Sequence, residues 1–161
     1  MHLFTLLAAK RGYQLACTLA PKLPQAPLAW ALAKALNREL RQDIDAGDFD
    51  FLDGKVLSIE VKDLAIQCAL TKRGSHLLVA PPQQATDATI AAALPDLIAI
   101  IVGREDPDSL FFQRKLSISG DTELGLTAKN RLDAIDKSHL AQWLQTGLNA
   151  LDRTLAQVVA P

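Results

Sequence analysis

The stretch from Asp106 to Asp136 reads DPDSLFFQRKLSISGDTELGLTAKNRLDAID, and its hydrophobic period changes twice. A turn signal at its start opens a short helical segment that carries two adjacent phenylalanines. Leu116 and Ile118 then alternate with serine, which is the period of a half-buried strand. After Gly120, an aspartate or a threonine can cap a helix whose apolar residues follow helical spacing. The stretch therefore predicts a helix, a strand and a second helix in close succession.

Hydrophobic periodicity extends this pattern along the rest of the chain. Apolar residues at helical spacing predict helices near both ends, and alternating apolar and polar residues predict strands in the middle. The predicted elements are helices at 3–20, 28–44, 95–102 and 138–159, and strands at 57–61, 66–70, 76–80 and 88–92. Together with the strand at Leu116 and Ile118, they indicate an α+β protein. Its five-stranded, mainly antiparallel sheet is expected to be covered by helices on one face.

The predicted C-terminal helix has the clearest amphipathic pattern of the chain, and Ser138 can cap it. Its apolar stripe consists of Leu140, Trp143, Leu144, Leu148, Leu151, Leu155 and Val158. The opposite, polar face contains Gln142, Asn149, Asp152 and Arg153. The pattern predicts a helix that rests on the domain with the stripe and turns the polar face to solvent.

Charge is divided unevenly along the 161 residues, although the formal net charge is only −1. Residues 1–38 contain five basic residues and no acidic one, whereas the remainder contains 12 bases and 18 acids. A basic, apolar segment on an acidic body predicts an arm that meets a membrane surface of anionic lipid or an acidic partner. Lys10, Arg11 and Lys22 are the expected membrane contacts. A helix packed on the domain, with its charges in water, fits the same pattern.

Three prolines, Pro21, Pro24 and Pro27, interrupt the helical pattern behind this segment. Because proline breaks helices, residues 1–26 are expected to be the most movable part of the chain. We divide the chain into a basic, apolar helical extension at 1–45 and a single domain at 46–161, whose length suffices for a real core.

Sequence motifs for catalysis, metal binding and nucleic-acid binding are missing. No GxSxG, GxxxxGK[ST] or GxGxxG pattern occurs, and basic residues are not grouped with aromatic ones. Cys17 and Cys68 stand apart, without a zinc or disulfide spacing. Asp106 and Asp108 could bind a hard cation, but carboxylates around a proline are more typical of a turn and a helix cap. We therefore expect neither an enzyme nor a metal, a cofactor or a nucleic-acid partner.

The apolar runs of the sequence are short. None reaches the roughly 20 residues that a membrane-spanning helix needs. The apolar run at 3–9 precedes Lys10 and Arg11, whereas a signal peptide has its charges first. The sequence thus indicates a soluble, cytoplasmic protein.

Aliphatic residues dominate the apolar content, since the aromatic ones are only two Trp, one Tyr and five Phe. Such residues fill an ordinary core. They also suit a slightly underpacked interface between sheet and helices, which leaves a tunnel for an acyl or isoprenoid chain. Apolar burial contributes about 25 cal/mol per Å², so a long lipid tail can bind without catalytic residues.

Several motifs of the chain are shared with a known family. They are 106–115, DPDSLFFQRK; 120–126, GDTELGL; Lys129-Asn130; 132–135, LDAI; and Leu52-x-Gly54-x-x-Leu57-Ser58-Ile59. With these residues, the chain from about 52 to 159 resembles the sterol carrier protein 2 domain. Within that family it is most similar to the bacterial UbiT-type ubiquinone biosynthesis accessory factors, which also have a basic N-terminal helical extension.

The resemblance implies a five-stranded sheet with helices that enclose an apolar lipid tunnel, and no catalytic residues. It also implies an accessory role in oxygen-independent ubiquinone biosynthesis. In that role the protein binds polyprenyl quinone intermediates and phospholipid and presents them to the hydroxylating enzymes of the pathway. Peripheral association with the inner membrane is a further expectation.

Three hypotheses compete for the function. In the first, the chain is a lipid carrier whose C-terminal helix is the lid of a tunnel. The expected lining is Leu57, Ile59, Val61, Leu97, Ile101, Phe111, Leu116, Ile118, Leu126, Leu144 and Leu148. In the second, the apolar interior is only a core, and the chain is an adaptor for ubiquinone-pathway enzymes that uses its acidic body and Phe111-Phe112. In the third, it is a hydrolase or isomerase that acts on a lipid.

Overall fold

The structure, a computed structural model, describes residues 2–81, 85–135 and 141–159. Within these ranges the chain forms seven α-helices, five β-strands and two short 3-10 turns at Ala20–Lys22 and Asp50–Leu52. The helices are α1 His2–Leu19, α2 Gln25–Glu39, α3 Arg41–Asp45, α4 Leu94–Ile101, α5 Pro107–Phe112, α6 Thr122–Ala134 and α7 Gln142–Val159. The strands are β1 Leu57–Val61, β2 Ile66–Arg73, β3 His76–Ala80, β4 Ala88–Ala92 and β5 Ser117–Gly120.

The five strands form one sheet in the order β3-β2-β1-β4-β5. β1 pairs in parallel with β4, and the other neighbouring pairs are antiparallel. Ile59, Ile90 and Ile118 are aligned in one row across β1, β4 and β5. The predicted α+β class with a five-stranded, mainly antiparallel sheet is confirmed.

Helices cover the sheet face that carries this row. Leu57, Leu77 and Ile90 on that face are at most 3% exposed and belong to one core cluster. The members of the cluster in or next to helices are Leu40, Ile44, Ile100, Leu110, Leu124 and Ala128. The other face is more polar, and there Gln67 Nε2 donates to Ser58 Oγ at 2.7 Å. Burial of one apolar face against helices is what the alternation of β1 and β5 predicts.

α2 covers the outer edge of the sheet at β3. The side chain of Asn37 donates from Nδ2 to the Leu77 carbonyl oxygen at 2.6 Å and accepts from the Leu77 N–H at 2.8 Å. Because β3 is an edge strand, these backbone groups have no strand partner on that side. One side chain on the helix therefore satisfies both of them.

The second predicted helix begins earlier than predicted and is interrupted near its end, whereas the helical region does end at Asp45 as predicted. α2 begins at Gln25 rather than Leu28, since Pro27 lies in its first turn, where the missing N–H of proline costs no hydrogen bond. A continuous helix to Ile44 is not formed, because the chain leaves helical geometry at Leu40, which has a ψ of 19°, before α3 begins. Leu40 and Ile44 are both buried in the core cluster, so packing on the sheet sets where the helix ends.

The remaining predicted elements agree with the structure apart from shifts at their ends. The helix–strand–helix succession predicted for 106–136 is α5, β5 and α6. The C-terminal helix begins at Gln142, and its predicted cap Ser138 and stripe residue Leu140 lie outside the described residues.

Candidate functional site

The helix-covered face of the sheet contains the five residues predicted to form the floor of a tunnel. Leu57 and Leu116 are 3% and 1% exposed and belong to the core cluster. Ile59 and Ile118 are half-buried and pack against the same cluster. Val61 is half-buried on the same side of β1, two residues after Ile59. The structure therefore brings these five side chains together.

The predicted walls of the tunnel differ in burial. Four of them, on α4 and α7, are half-buried: Leu97, Ile101, Leu144 and Leu148. Phe111 of α5 and Leu126 of α6 are 37% and 38% exposed. The floor residues and those of α4 thus lie near the core, whereas Phe111 and Leu126 lie toward solvent. A tunnel that is lined by all eleven residues stays a prediction.

α7, the predicted lid, packs on α4 and also contacts α1. Asp152 of α7 is only 6% exposed and accepts three hydrogen bonds from Arg104, from Nε at 2.8 Å and 3.1 Å and from Nη2 at 3.0 Å. These bonds to the carboxylate raise the pKa of the Arg104 guanidinium above its usual range. The prediction that Asp152 lies on the solvent face of the helix is wrong, because the ion pair with Arg104 compensates its burial.

Two aspartates near the candidate site serve as helix caps. The Asp106 carboxylate accepts from the Asp108 N–H and the Ser109 N–H, each at 3.0 Å, and from the Ser109 hydroxyl at 2.6 Å. Asp121 accepts from the Leu124 N–H at 3.1 Å. The hydrogen bonds from Ser109 hold the pKa of Asp106 below its usual range. The hydrogen bond from the Leu124 N–H does the same for the pKa of Asp121. The interpretation of Asp106 and Asp121 as caps is confirmed.

β5 and α6 come into close contact at two glycines. Gly120 has a φ of +82°, and a Cβ atom there would overlap the carbonyl oxygen of Asp87. A Cβ atom on Gly125 would overlap Cγ2 of Ile118. Both positions need glycine, which explains their place in the shared motif and fixes where Ile118 lies.

α1 is tied to the domain through Asp63, between β1 and β2. The Tyr13 hydroxyl donates to Asp63 Oδ2, while Oδ1 accepts from the Leu94 N–H at the start of α4 at 2.8 Å. Burial, assisted by the hydrogen bond to Asp63, raises the pKa of the Tyr13 phenol above its usual range. In the structure, α1 is therefore docked on the domain.

Cations and large apolar side chains share the surface of α1 and α2. Of the predicted membrane contacts, Arg11 and Lys22 are exposed and Lys10 is half-buried. The exposed apolar residues here are Leu7, Leu15, Leu19, Leu23, Leu28, Trp30 and Leu32. Trp30 is 67% exposed, and Lys34 Nζ lies 5.2 Å from its ring centroid. Sequence reasoning missed Trp30, although the absence of acidic residues in 1–38 marked its surroundings.

A polar cleft of about 390 Å³ is formed by α2, α3 and the residue before α7. Its lining is Arg38, Glu39, Arg41, Gln42, Asp43 and Ala141. Its charges are largely paired, since Arg41 lies 3.8 Å from Asp45 and Glu39 accepts from the Ala141 N–H. This polar lining does not suit a lipid tail, which needs apolar walls.

The described residues form neither a metal site nor a membrane-spanning helix, and both cysteines are free. Within the described ranges, no group of three or more His, Cys, Asp or Glu side chains is placed to hold a metal ion. Among the described helices, none is both long and apolar enough to cross a membrane. Cys17 and Cys68 are free, and burial raises the pKa of the Cys68 thiol, which makes that thiol unreactive.

The fold and the motifs together define a class of protein. Residues 32–133 match the model of the SCP-2 sterol transfer family, and the chain belongs to this family. The predicted membership is thus confirmed. The match begins inside the segment 1–45 that we assigned to an extension, and the boundary at 45 stays a prediction.

Particular relatives are similar in sequence. The chain is 41% identical over 114 residues, 71% of its length, to the ubiquinone biosynthesis accessory factor UbiT of Escherichia coli strain K12. The matched part spans 65% of that relative's length. It is 27% identical over 115 residues to sterol carrier protein 2 of Rattus norvegicus, which covers 67% of this chain and 21% of that protein. The resemblance to UbiT-type factors is confirmed.

Solved structures share the fold. A protein described as UbiJ-SCP2 ubiquinone synthesis protein matches with a TM-score of 0.57 at 22% identity, over 70% of this chain and 94% of that one. The sterol carrier protein domain 2 of Helicoverpa armigera matches with a TM-score of 0.51 at 17% identity, over 67% and 90%. The five-stranded sheet with its helices is therefore the fold of sterol carrier protein 2 domains.

Proposed function

We propose that this chain is a non-catalytic, lipid-binding accessory protein of ubiquinone biosynthesis. The observation that carries the proposal is the 41% identity to UbiT, a protein described as a ubiquinone biosynthesis accessory factor. Membership of a sterol transfer family supports an apolar, lipid-sized cargo. As the sequence resemblance implies, the chain serves the oxygen-independent route, where it presents polyprenyl quinone intermediates to the hydroxylating enzymes. Phospholipid is a second cargo.

The cargo lies between the sheet floor and the helices α4 and α7. Leu57 and Leu116 are buried in the core and form the fixed base of the site. Ile59, Val61 and Ile101 are half-buried, so a lipid tail gains apolar contact with them at little cost to the packing of the core. Each buried methylene group contributes about 0.8 kcal/mol, so an isoprenoid tail needs only a few such contacts for strong binding.

α7 is the lid of this site. It lies on α4 through an apolar stripe, of which Leu155 is 4% exposed and Leu144 and Leu148 are half-buried. The Asp152–Arg104 ion pair holds the lid at one point of its length. Since a lid that opens must separate this pair, the pair is expected to set how readily cargo enters and leaves.

The chain performs no chemistry on its cargo. Two aspartates of the shared motifs, Asp106 and Asp121, are occupied as caps of α5 and α6. Lys10, Arg11 and Lys22 bring the carrier to the cytoplasmic face of the inner membrane, where its cargo is dissolved. The exposed leucines beside them support this contact, because cations and apolar side chains together suit an anionic lipid surface.

An adaptor is the second candidate function, favoured by the complete burial of Leu57 and Leu116 in what can be an ordinary core. Variants in which a larger side chain fills the site distinguish the carrier from the adaptor. Val61→Trp and Ile101→Trp place an indole between floor and helices, and Leu78→Trp, on the opposite sheet face, is the matched control.

For each folded variant we would measure uptake of a polyprenyl quinone and ubiquinone content in oxygen-free cells that lack the endogenous protein. The carrier predicts that both filled variants lose uptake and ubiquinone together, while the control keeps both. Loss of uptake with normal ubiquinone would refute the carrier in favour of the adaptor.

A further inference from the structure

We propose that the last turn of α5 and the connection from it to β5, Phe111 to Lys115, form a membrane-insertion loop that enters the surface of an anionic lipid bilayer. We call it the aromatic–basic loop. It lies next to β5, at the edge of the sheet opposite to β3 and α2. The proposal goes beyond the carrier function and stands whether or not the chain holds a lipid in its interior.

The loop projects from two fixed ends. Leu110 and Leu116, which flank it, are 0% and 1% exposed in the core. Phe112 between them is 81% exposed, the largest value among the large apolar residues whose exposure the structure describes, and Phe111 is 37% exposed. The two rings meet edge to face with centroids 6.0 Å apart. An apolar side chain exposed to this degree on a firmly held turn is costly in water and suits insertion into an apolar medium.

The backbone of the loop forms the usual closure of a helix C-terminus, with one unusual residue. The Arg114 N–H donates to the Phe111 carbonyl at 3.0 Å, and the Lys115 N–H donates to the Leu110 carbonyl at 2.9 Å. This Schellman arrangement needs a left-handed residue, normally glycine, and here Arg114 takes it with a φ of +59°. A side chain at this position strains the backbone, so the structure keeps an arginine where glycine would be more stable.

Within the part of the chain that the structure describes, the cations of the loop have no carboxylate partner. Arg114 and Lys115 are both exposed, and among the described residues neither forms an ion pair with a carboxylate. The acids closest in sequence are engaged elsewhere: Asp108 pairs with the buried Lys129 of α6, and Asp121 caps α6. Two uncompensated positive charges therefore lie beside two exposed phenyl rings on an otherwise acidic body.

This combination fits a lipid surface better than a protein groove. Phenyl rings have no polar atom, whereas the residues that dominate protein interfaces are Trp, Tyr and Arg seated in well-packed pockets. A convex turn with apolar side chains at its tip and cations beside them places the rings among acyl chains and the cations at anionic headgroups. We therefore infer an anionic bilayer as the partner.

Binding of the full chain to vesicles tests the loop. Arg114→Gly removes the charge and relieves the strained backbone, so its melting temperature is expected to be equal to or higher than that of the intact chain. On vesicles that contain phosphatidylglycerol, it should bind about fivefold more weakly, equivalent to about 1 kcal/mol per cation at such a surface. Phe112→Ser should weaken binding about tenfold or more. Arg73→Gln, an equal loss of charge at the β2–β3 turn, is the control and should bind like the intact chain.

A depth measurement completes the test. Phe112→Trp, in a chain that also carries Trp30→Phe and Trp143→Phe, gives a single indole at the tip of the loop. Its fluorescence should shift to the blue and be quenched by lipids brominated on the acyl chain. Unquenched fluorescence on bound vesicles, unchanged binding of Arg114→Gly and Phe112→Ser, or an equal loss in Arg73→Gln would each overturn the proposal. Quinone uptake from detergent by these variants separates failure of the loop from failure of the carrier.

Discussion

Asp152 and Arg104 lie 48 residues apart in the chain, and their hydrogen bonds of 2.8 Å and 3.0 Å join α7 to the turn after α4. Asp152 is 6% exposed, so its charge depends on this partner. The pair therefore fixes the helix that we assign as a lid, and removing either partner should be felt both in stability and in exchange of cargo.

Asp152→Ala is expected to lower the free energy of unfolding by about 2 kcal/mol, since hydrogen bonds to charged groups contribute about 1.5–3 kcal/mol. Solvent around the half-exposed Arg104 keeps the effect in the lower part of that range. Urea unfolding measures this loss of free energy, and Arg153→Ala, at the exposed residue next to Asp152, is the control. Equal unfolding midpoints for the two variants would show that the pair contributes nothing to the docking of α7.

Gly125→Ala is expected to destabilise the domain by about 1–3 kcal/mol, because the added methyl group overlaps Ile118. In a helix the same change normally stabilises, by about 0.5–1 kcal/mol. Gly147→Ala in α7, where a Cβ atom meets nothing within 4 Å, is the matched control and should show that gain. Combining Gly125→Ala with Ile118→Ala should recover part of the loss; purely additive effects would contradict the close contact.

Tyr13 is the only tyrosine of the sequence, so tyrosinate absorbance reports on it alone. We expect its titration midpoint to lie above the ordinary value of about 10. Asp63→Asn should lower the midpoint only in part, because burial is the larger cause of the shift. A raised pKa favours the neutral phenol in the folded state, so its contribution to stability is complete below pH of about 10 and is lost as the pH rises through the folded value. A midpoint near 10 in the intact chain would mean that α1 is not docked.

The contribution of the Asp106 cap to stability is expected to depend on pH with a sign opposite to that of Tyr13. The folded pKa of Asp106 is depressed, so its contribution is present above the ordinary pKa of about 4 and is lost as the pH falls through the lower folded value. Asp106→Asn keeps a capping side chain that cannot titrate. The intact chain should have the higher thermal midpoint at neutral pH, and the difference should shrink below pH 4. A constant difference across that window would exclude a charged cap.

Neutralising Lys10, Arg11 and Lys22 to glutamine is expected to weaken binding to anionic vesicles, by about 1 kcal/mol for each charge that lies at the surface. Cosedimentation at several salt concentrations measures it. Replacing Arg41, Arg73 and Arg153, which lie outside α1 and the turn after it, removes the same charge as a control. Equal binding of the intact and neutralised chains would favour a packed or dimerising helix instead of a membrane contact.

Local patterns were sufficient for much of the fold. The strands β2 and β3, the strand at Ile118 and the helix cap after Gly120 were predicted because each depends on neighbours in the sequence. The break at Leu40 was not, because a regular leucine repeat carries no information about the surface on which it packs.

Contacts between distant residues could not be predicted either. Asn37 with Leu77 and Asp152 with Arg104 join segments that only the complete fold brings together, and periodicity cannot choose among such partners. For the candidate site, periodicity identified the floor, since alternation assigns Ile59 and Ile118 to the buried face. It could not assign the walls, because the exposure of a residue such as Phe111 depends on how the helices lie over the sheet.

Whether the chain carries lipid can be measured by mass spectrometry of the full chain, purified from oxygen-free cells without detergent. We expect the protein to carry an extractable polyprenyl quinone intermediate or a phospholipid, and Val61→Trp to carry less of it than Leu78→Trp. A protein that comes free of lipid and takes up no polyprenyl quinone when it is offered would contradict the account.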